Sequence, residues 1–495
     1  MKFRISRRNA LVGGSLTTAL SLGELAAADV ILPADAVRFR PEIEPLVRLI
    51  EETPRERLFE VIGARIERGL SYRELLAGLF LAAIRNVQPR PSVGFKFHSV
   101  LVINSAHLAS LAARDTDRWL PIFWALDYFK SAQERDVREG DWTMAAVDEQ
   151  RLPSASQAIA QLRAAMRDWD VEAADAAAAA AARVAPADQL FDLFAEFGTR
   201  DFRSIGHKAI YVAGAFRVLE VIGWQHAEPV MRGLAYALLN HTGDPNPAGV
   251  DLAVDAAGRA NTRLADSLRA DWLEGKVDDA ATASLIATNR QGSPIELSEA
   301  TAAMINEGIG VQSIYDAHFA TAAELVMRQA QIVPLHAMTT TNAIHYLFNR
   351  CGDDSLRRWL LLQNAAFLGH FRESAVGRAK LSDRLITDLH PHDGATDLAA
   401  AVGAIGKGGE QPSQRILGYL QGGGDPAALM RQVRQLIFYK GNDSHDYKYS
   451  SALLEDYYPR SPQWRDKILA AGSHLLTGEN TPDTSLPQRV TAALG

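Results

Sequence analysis

The chain has 495 residues, 47% hydrophobic and 22% charged, a globular balance long enough for one large or two ordinary domains and not that of a disordered protein. Its formal charge of −7 leaves no basic excess to neutralise phosphates, so a nucleic-acid partner is not expected. Cys351 is the only cysteine, which excludes an intrachain disulfide, a Cys-ligated zinc finger, a Rieske centre and a CxxCH haem attachment.

Residues 1–28 read as a twin-arginine export signal. A basic start carries the pair Arg7 and Arg8, residues 11–22 are short and mildly apolar, and Ala26, Ala27 and Ala28 offer a small-residue cleavage site. The expected address is therefore the periplasm or the cell exterior. No later run of eighteen or more apolar residues exists, so a transmembrane segment is not expected.

Helix follows helix along the mature chain. Apolar residues recur at helical spacing over 42–50, 54–68 and 71–85, and Ser71 with Glu74 forms a capping-box pattern that opens the third of these. The alanine-rich stretch 156–183 predicts one long helix with small-residue packing. The run 99–103 is compatible with a short strand but continues into a helical pattern through Leu111. Turn residues cluster at 87–94, 135–142, 241–249, 292–294, 390–394, 406–413 and 422–426, none long enough for an interdomain linker. The expected fold is all-α: a single large multi-helix domain over 40–475 with a metal site in its helical core. A polar tail, 476–495, follows, with 479–486 expected to be loose.

The 13 histidines carry the chemistry. His98, His107, His207, His226, His336 and His345 all sit in apolar, helical contexts. One buried imidazole is ordinary, but several in separate helices each need polar partners, and a shared metal would satisfy them together. His98 and His107 are nine residues apart, as are His336 and His345, so each pair faces opposite sides of a regular helix. One member lines a central site and the other does not; spacing alone does not say which. Bundles build metal sites from inward-facing side chains on several helices, and these segments lie about a hundred residues apart. The loop 388–393, with His390 and His392 between Asp388 and Asp393, looks like a metal-ligand cluster, but it is loop-like and any metal there would sit at the surface.

Near the C-terminus, His445 and Lys448 share one face where Asp443 and Ser444 start a helix. A lysine ammonium repels a cation, but a deprotonated amine takes up carbon dioxide to give a carbamate, an anionic oxygen ligand. In this order the residues resemble the questin oxidase-like family. Asp443-Ser-His445-Asp-Tyr-Lys448 matches best, then His336-Ala-Met-Thr339; His207 is followed by Lys208 where that family has a proline. The early histidine is His98 or His107. The resemblance implies a large all-helical enzyme with non-haem iron, Fe(2+), held by histidines and a carboxylated lysine. It also implies oxygen-dependent cleavage or insertion on aromatic polyketides.

The expected function is thus an exported oxidoreductase, an iron-dependent oxygenase that takes O2 and a small aromatic or quinone-like organic substrate. The metal ligands are His207, His336, His445, Lys448 and one of His98 and His107. Tyr211 and Tyr447 are candidates to orient substrate or donate a proton. No nucleotide-binding motif is visible, so any reductant comes from an external electron donor. Two other readings are a zinc-dependent hydrolase with a carbamylated lysine and a non-catalytic helical protein that binds haem or an aromatic ligand.

Overall fold

Three helices open the fold at Glu44–Glu52, Leu58–Glu67 and Tyr72–Asn86, each within a few residues of its predicted bounds. Ser71 and Glu74 form the expected capping box, each satisfying the other's backbone amide. The first and third are bound together by Arg85, fully buried, whose guanidinium reaches Glu51 at 2.7 Å and Glu44 at 2.8 Å. This computed structural model describes residue 33 and residues 35–495 apart from 91, 92, 242, 393, 395 and 396; the expected export signal lies outside the described residues.

Among the described residues there are twenty-two α-helices and no β-strand, only isolated bridges between Ala36 and Ala145 and between Lys276 and Ile309. The run 99–103 is helical, inside His98–Leu111. One apolar core runs through the whole helical array, from Val37 to Val490, as a single large domain requires. No helix of the described residues is long and apolar enough to cross a membrane.

Two expectations are corrected. The alanine-rich stretch is two helices, Ala158–Asp168 and Val171–Val184, not one. Trp169 turns left-handed at φ 58° and Asp170 caps the second helix by accepting from the Ala173 amide, so the chain reverses there. Residues Ala176 to Ala182 are all buried, which lets the Ala158–Asp168 and Ala227–Leu238 helices approach closely. The C-terminal tail is not loose: Leu486–Leu494 is a helix with Leu486, Pro487 and Val490 buried against Leu58–Glu67. Lys440 holds the preceding loop through the Thr481 carbonyl at 2.8 Å and Asp483 at 2.7 Å.

Four helices position the site: His98–Leu111, His207–Ile222, Ile332–Arg350 and Ser444–Glu455. Each packs against two of the others, closing a ring of four. A core histidine on each then points toward a shared centre.

Candidate metal centre

His98 and His207 are each the first residue of their helix, and each follows a short turn containing left-handed residues. Phe95 precedes His98 with φ 47°; Ser204, Ile205 and Gly206 precede His207 with φ 57°, 50° and 79°. Such conformations cost side-chain-bearing residues about 1–2 kcal/mol each and persist only where surroundings fix them. Here the fixing is ionic. Buried Asp201 accepts from the Arg203 amide at 2.9 Å and from the Lys208 ammonium at 3.0 Å, while Arg203 grips Asp255 at 2.6 Å. Lys208 is thus turned to the loop while its neighbour His207 enters the core.

Each histidine has its Nδ1 tied to an oxygen. His98 Nδ1 meets the Phe95 carbonyl at 2.8 Å, His207 the Ser204 carbonyl at 2.7 Å, and His336 the Ile332 carbonyl at 2.7 Å. His445 Nδ1 meets the Asp443 carboxylate at 2.6 Å. Carbonyl oxygens only accept, so Nδ1 of His98, His207 and His336 carries the proton, and in these buried rings Nε2 presents a lone pair. Metal-ligating histidines are held in this same way, by a donated N–H that fixes tautomer and ring orientation.

The Nε2 atoms converge. His207 Nε2 lies 2.9 Å from that of His336 and 3.1 Å from that of His98, and ligand atoms of all three lie within 4.8 Å of one another. The His445 ring stands 4.7 Å from the His98 ring and 5.3 Å from the His336 ring, with its Nε2 buried and unpartnered. Spacings of 2.9 and 3.1 Å would suit hydrogen bonds, but neither nitrogen of a pair has a proton left to give. Burial holds His98, His207 and His336 well below the usual imidazole range, and the charge of Lys448 and the neighbouring rings push the same way. Facing lone pairs without a proton call for a cation between them.

Lys448 faces the same cluster, its charge acting on His98, His207 and His336 alike. It is 2% exposed, and its Nζ has no hydrogen-bond partner. Burial lowers its ammonium to about 7, against a weaker opposing pull from Asp443. Its amine is therefore accessible in neutral form at ordinary pH, the form that captures carbon dioxide.

Of the two early candidates, His98 belongs to the cluster and His107 does not. The 900° of rotation between them carries His107 to the opposite face, where its Nδ1 meets the Tyr72 hydroxyl at 3.0 Å. His345 is excluded from the centre on the same ground: its Nδ1 pairs with Asp456 at 2.8 Å and its Nε2 accepts from Arg460 at 3.1 Å. That pair binds the His336 helix to the end of the His445 helix. Tyr211 and Tyr447, the candidates for orienting substrate, are packed in the core. The Tyr211 hydroxyl lies against Gly233, its ring edge-on to Phe97, and Tyr447 stacks on Trp124 at 4.3 Å. Both are core aromatics with unpartnered hydroxyls.

Residues that the sequence reading passed over hold the centre in place. The backbone of Gly94 lies over the His207 ring, where a Cβ would meet Cε1 at 3.0 Å. Gly206, with Phe95, Ser204 and Ile205, shapes the turns. A cavity of about 710 Å³ lies elsewhere, between Trp169, Phe197 and Trp359. No protein family, curated protein or solved structure matches the chain.

The neutral imidazoles give the metal-free protein a defined acid response. They stay uncharged when folded and protonate near pH 6.5 when unfolded, so unfolding takes up protons below that pH. Stability is full above pH 6.5 and falls as pH drops, by about 1.4 kcal/mol per unit for each imidazole. The three together predict a loss of roughly 3 kcal/mol between pH 6.5 and 5.5, measured by urea unfolding after chelation.

Proposed function

We propose that the protein is an exported non-haem iron oxygenase of the questin oxidase-like kind, acting on an aromatic or quinone-like organic substrate. The observation that carries this reading is the convergence of histidine Nε2 lone pairs beside a buried, unpartnered lysine amine. His98, His207, His336 and His445 would hold the metal through Nε2, and Lys448, carboxylated, would supply the oxygen ligand. The spacing suits nitrogens that share one cation, and the choice of iron rests on the resemblance. Nitrogens about 2.1 Å from one cation stand about 3.0 Å apart at right angles and about 3.4 Å apart at the tetrahedral angle. The observed 2.9 and 3.1 Å are close enough for one cation to be shared by His98, His207 and His336.

When bound, iron supplies the capacity to use O2, which no side chain of this chain has. The chain's own residues do the rest. The Nδ1–H bonds lock the rings of His98, His207 and His336 in one tautomer, and the closed ring of helices excludes bulk water. Asp443 accepts from the His445 amide as well as its ring, so one carboxylate both caps the helix and aims the ligand. Electrons, where the reaction needs them, come from a separate donor protein or small reductant.

The test is an oxygen electrode with iron-loaded protein and a panel of quinones and phenols, beside Lys448→Ala. Substrate-dependent oxygen consumption, absent in the variant, is the expected result. Iron-loaded protein that consumes no oxygen with any of the panel, but hydrolyses esters or amides, overturns the oxygenase reading in favour of a hydrolase.

A further inference from the structure

A narrow cleft enters the four-helix ring from the side. It lies between the His98, His207, His336 and His445 helices, and its lining includes Leu101, Asn104, Ile210, Thr339 and Lys448. None of the four histidines lines it. Its volume of about 30 Å³ holds about two water-sized spheres, which suits a triatomic molecule and excludes an aromatic ring. Three buried polar atoms of its lining residues lack partners: Nζ of Lys448, Oδ1 of Asn104 and Nε of Arg217.

The outer end is closed by a clamp. Arg217, from the His207 helix, grips both carboxylate oxygens of Glu455 at 2.8 Å, and Asn342, from the His336 helix, donates to the same carboxylate at 2.9 Å. Arg217 and Asn342 are themselves lining residues. Three of the four helices that carry the metal-site residues are thus pinned together across the mouth. The Arg217 side chain is 12% exposed and that of Glu455 34%, so the clamp faces solvent.

We propose that this cleft is the route by which carbon dioxide reaches Lys448, with Arg217, Glu455 and Asn342 as its gate. The inference rests on the carbamate in the reading above and gives that carbamate its own path, separate from the organic substrate's. The argument is positional: the cleft meets the lysine and not the histidine nitrogens, so what travels along it reacts at Nζ. There the amine lone pair attacks the carbon of carbon dioxide and one C=O electron pair moves onto oxygen. An N–H proton leaves to water in the cleft, and Lys448 becomes N-bound carboxylate. No oxidant or reductant is involved.

The experiment follows ¹³C from labelled carbon dioxide into the carbamate resonance of the full chain, stripped of metal by chelation. Gly214→Leu fills the cleft without strain at its base, because a Cβ there meets only Asn104 Cβ, at 3.6 Å. It is expected to slow labelling by roughly tenfold at unchanged circular dichroism. Glu455→Gln loosens the gate at the surface and is expected to speed labelling severalfold with the same final occupancy. Label that enters wild type and both variants at one rate overturns the route while leaving the carbamate standing. No label in wild type, with Lys448 unmodified by mass, overturns the carbamate and the route together.

Discussion

His207→Ala will hold at least about a hundredfold less tightly bound metal than the unaltered protein, whereas His107→Ala will hold the same amount. His207 stands between His98 and His336, 3.1 and 2.9 Å from their Nε2 atoms, so removing it separates the cluster's two nearest contacts. Loss of a group that merely orients a ligand costs 10- to 100-fold in metal affinity, and loss of a central ligand costs more. His107 is as buried and as apolar in its setting, yet it meets only Tyr72 among hydrogen-bond partners. Its loss costs about 1 kcal/mol of stability, the net worth of one hydrogen bond, and nothing at the centre. Competition with a coloured chelator, with circular dichroism to check folding, measures both. Equal affinities for the two variants would remove His207 from the site.

Gly206→Ala will destabilise the metal-free protein by about 2–5 kcal/mol and also weaken metal binding. Two separate costs meet at this position. The φ of 79° is left-handed, worth about 1–2 kcal/mol for any side chain, and a Cβ would fall only 2.0 Å from the Thr340 hydroxyl oxygen, an overlap worth about 1–3 kcal/mol. Thr340 is fully buried on the His336 helix, so it has little room to retreat. Relief has to come from the turn, and the turn carries His207. Gly69→Ala is the control: its φ is 101°, but nothing lies within 4 Å of a Cβ there. It shares the backbone cost alone and leaves the metal in place. Urea unfolding and metal titration on both variants separate strain from ligand displacement.

Much of this centre was legible in the sequence because helical geometry is strict. Nine residues turn a helix by 900°, so one of His98 and His107 had to face away, as had one of His336 and His345. Spacing could not choose between them; the choice came from the left-handed turn at Phe95, which starts the helix at His98 and aims its ring inward. A left-handed Phe, Ser or Ile has no sequence signature, since these residues avoid that conformation and adopt it only under tertiary constraint. The break at Trp169 was missed for the same reason. The tail was misjudged because Pro, Asp, Thr and Glu at 479–487 read as a loop, while Leu486 and Val490 find cover only against a helix some 420 residues earlier. His318 went unnoticed inside its helix. It is fully buried beside Tyr315 with neither ring nitrogen partnered, and burial lowers it to about 3.

The central claim is that four histidines and one lysine form a metal centre. Elemental analysis with an ultraviolet–visible spectrum, on full-length protein from its native compartment, tests it most directly. The account predicts about one iron per chain, no Soret band, and loss of the iron in Lys448→Ala. Unaltered protein that binds no transition metal, natively or after reconstitution, would contradict it and make the converging imidazoles a buried polar core.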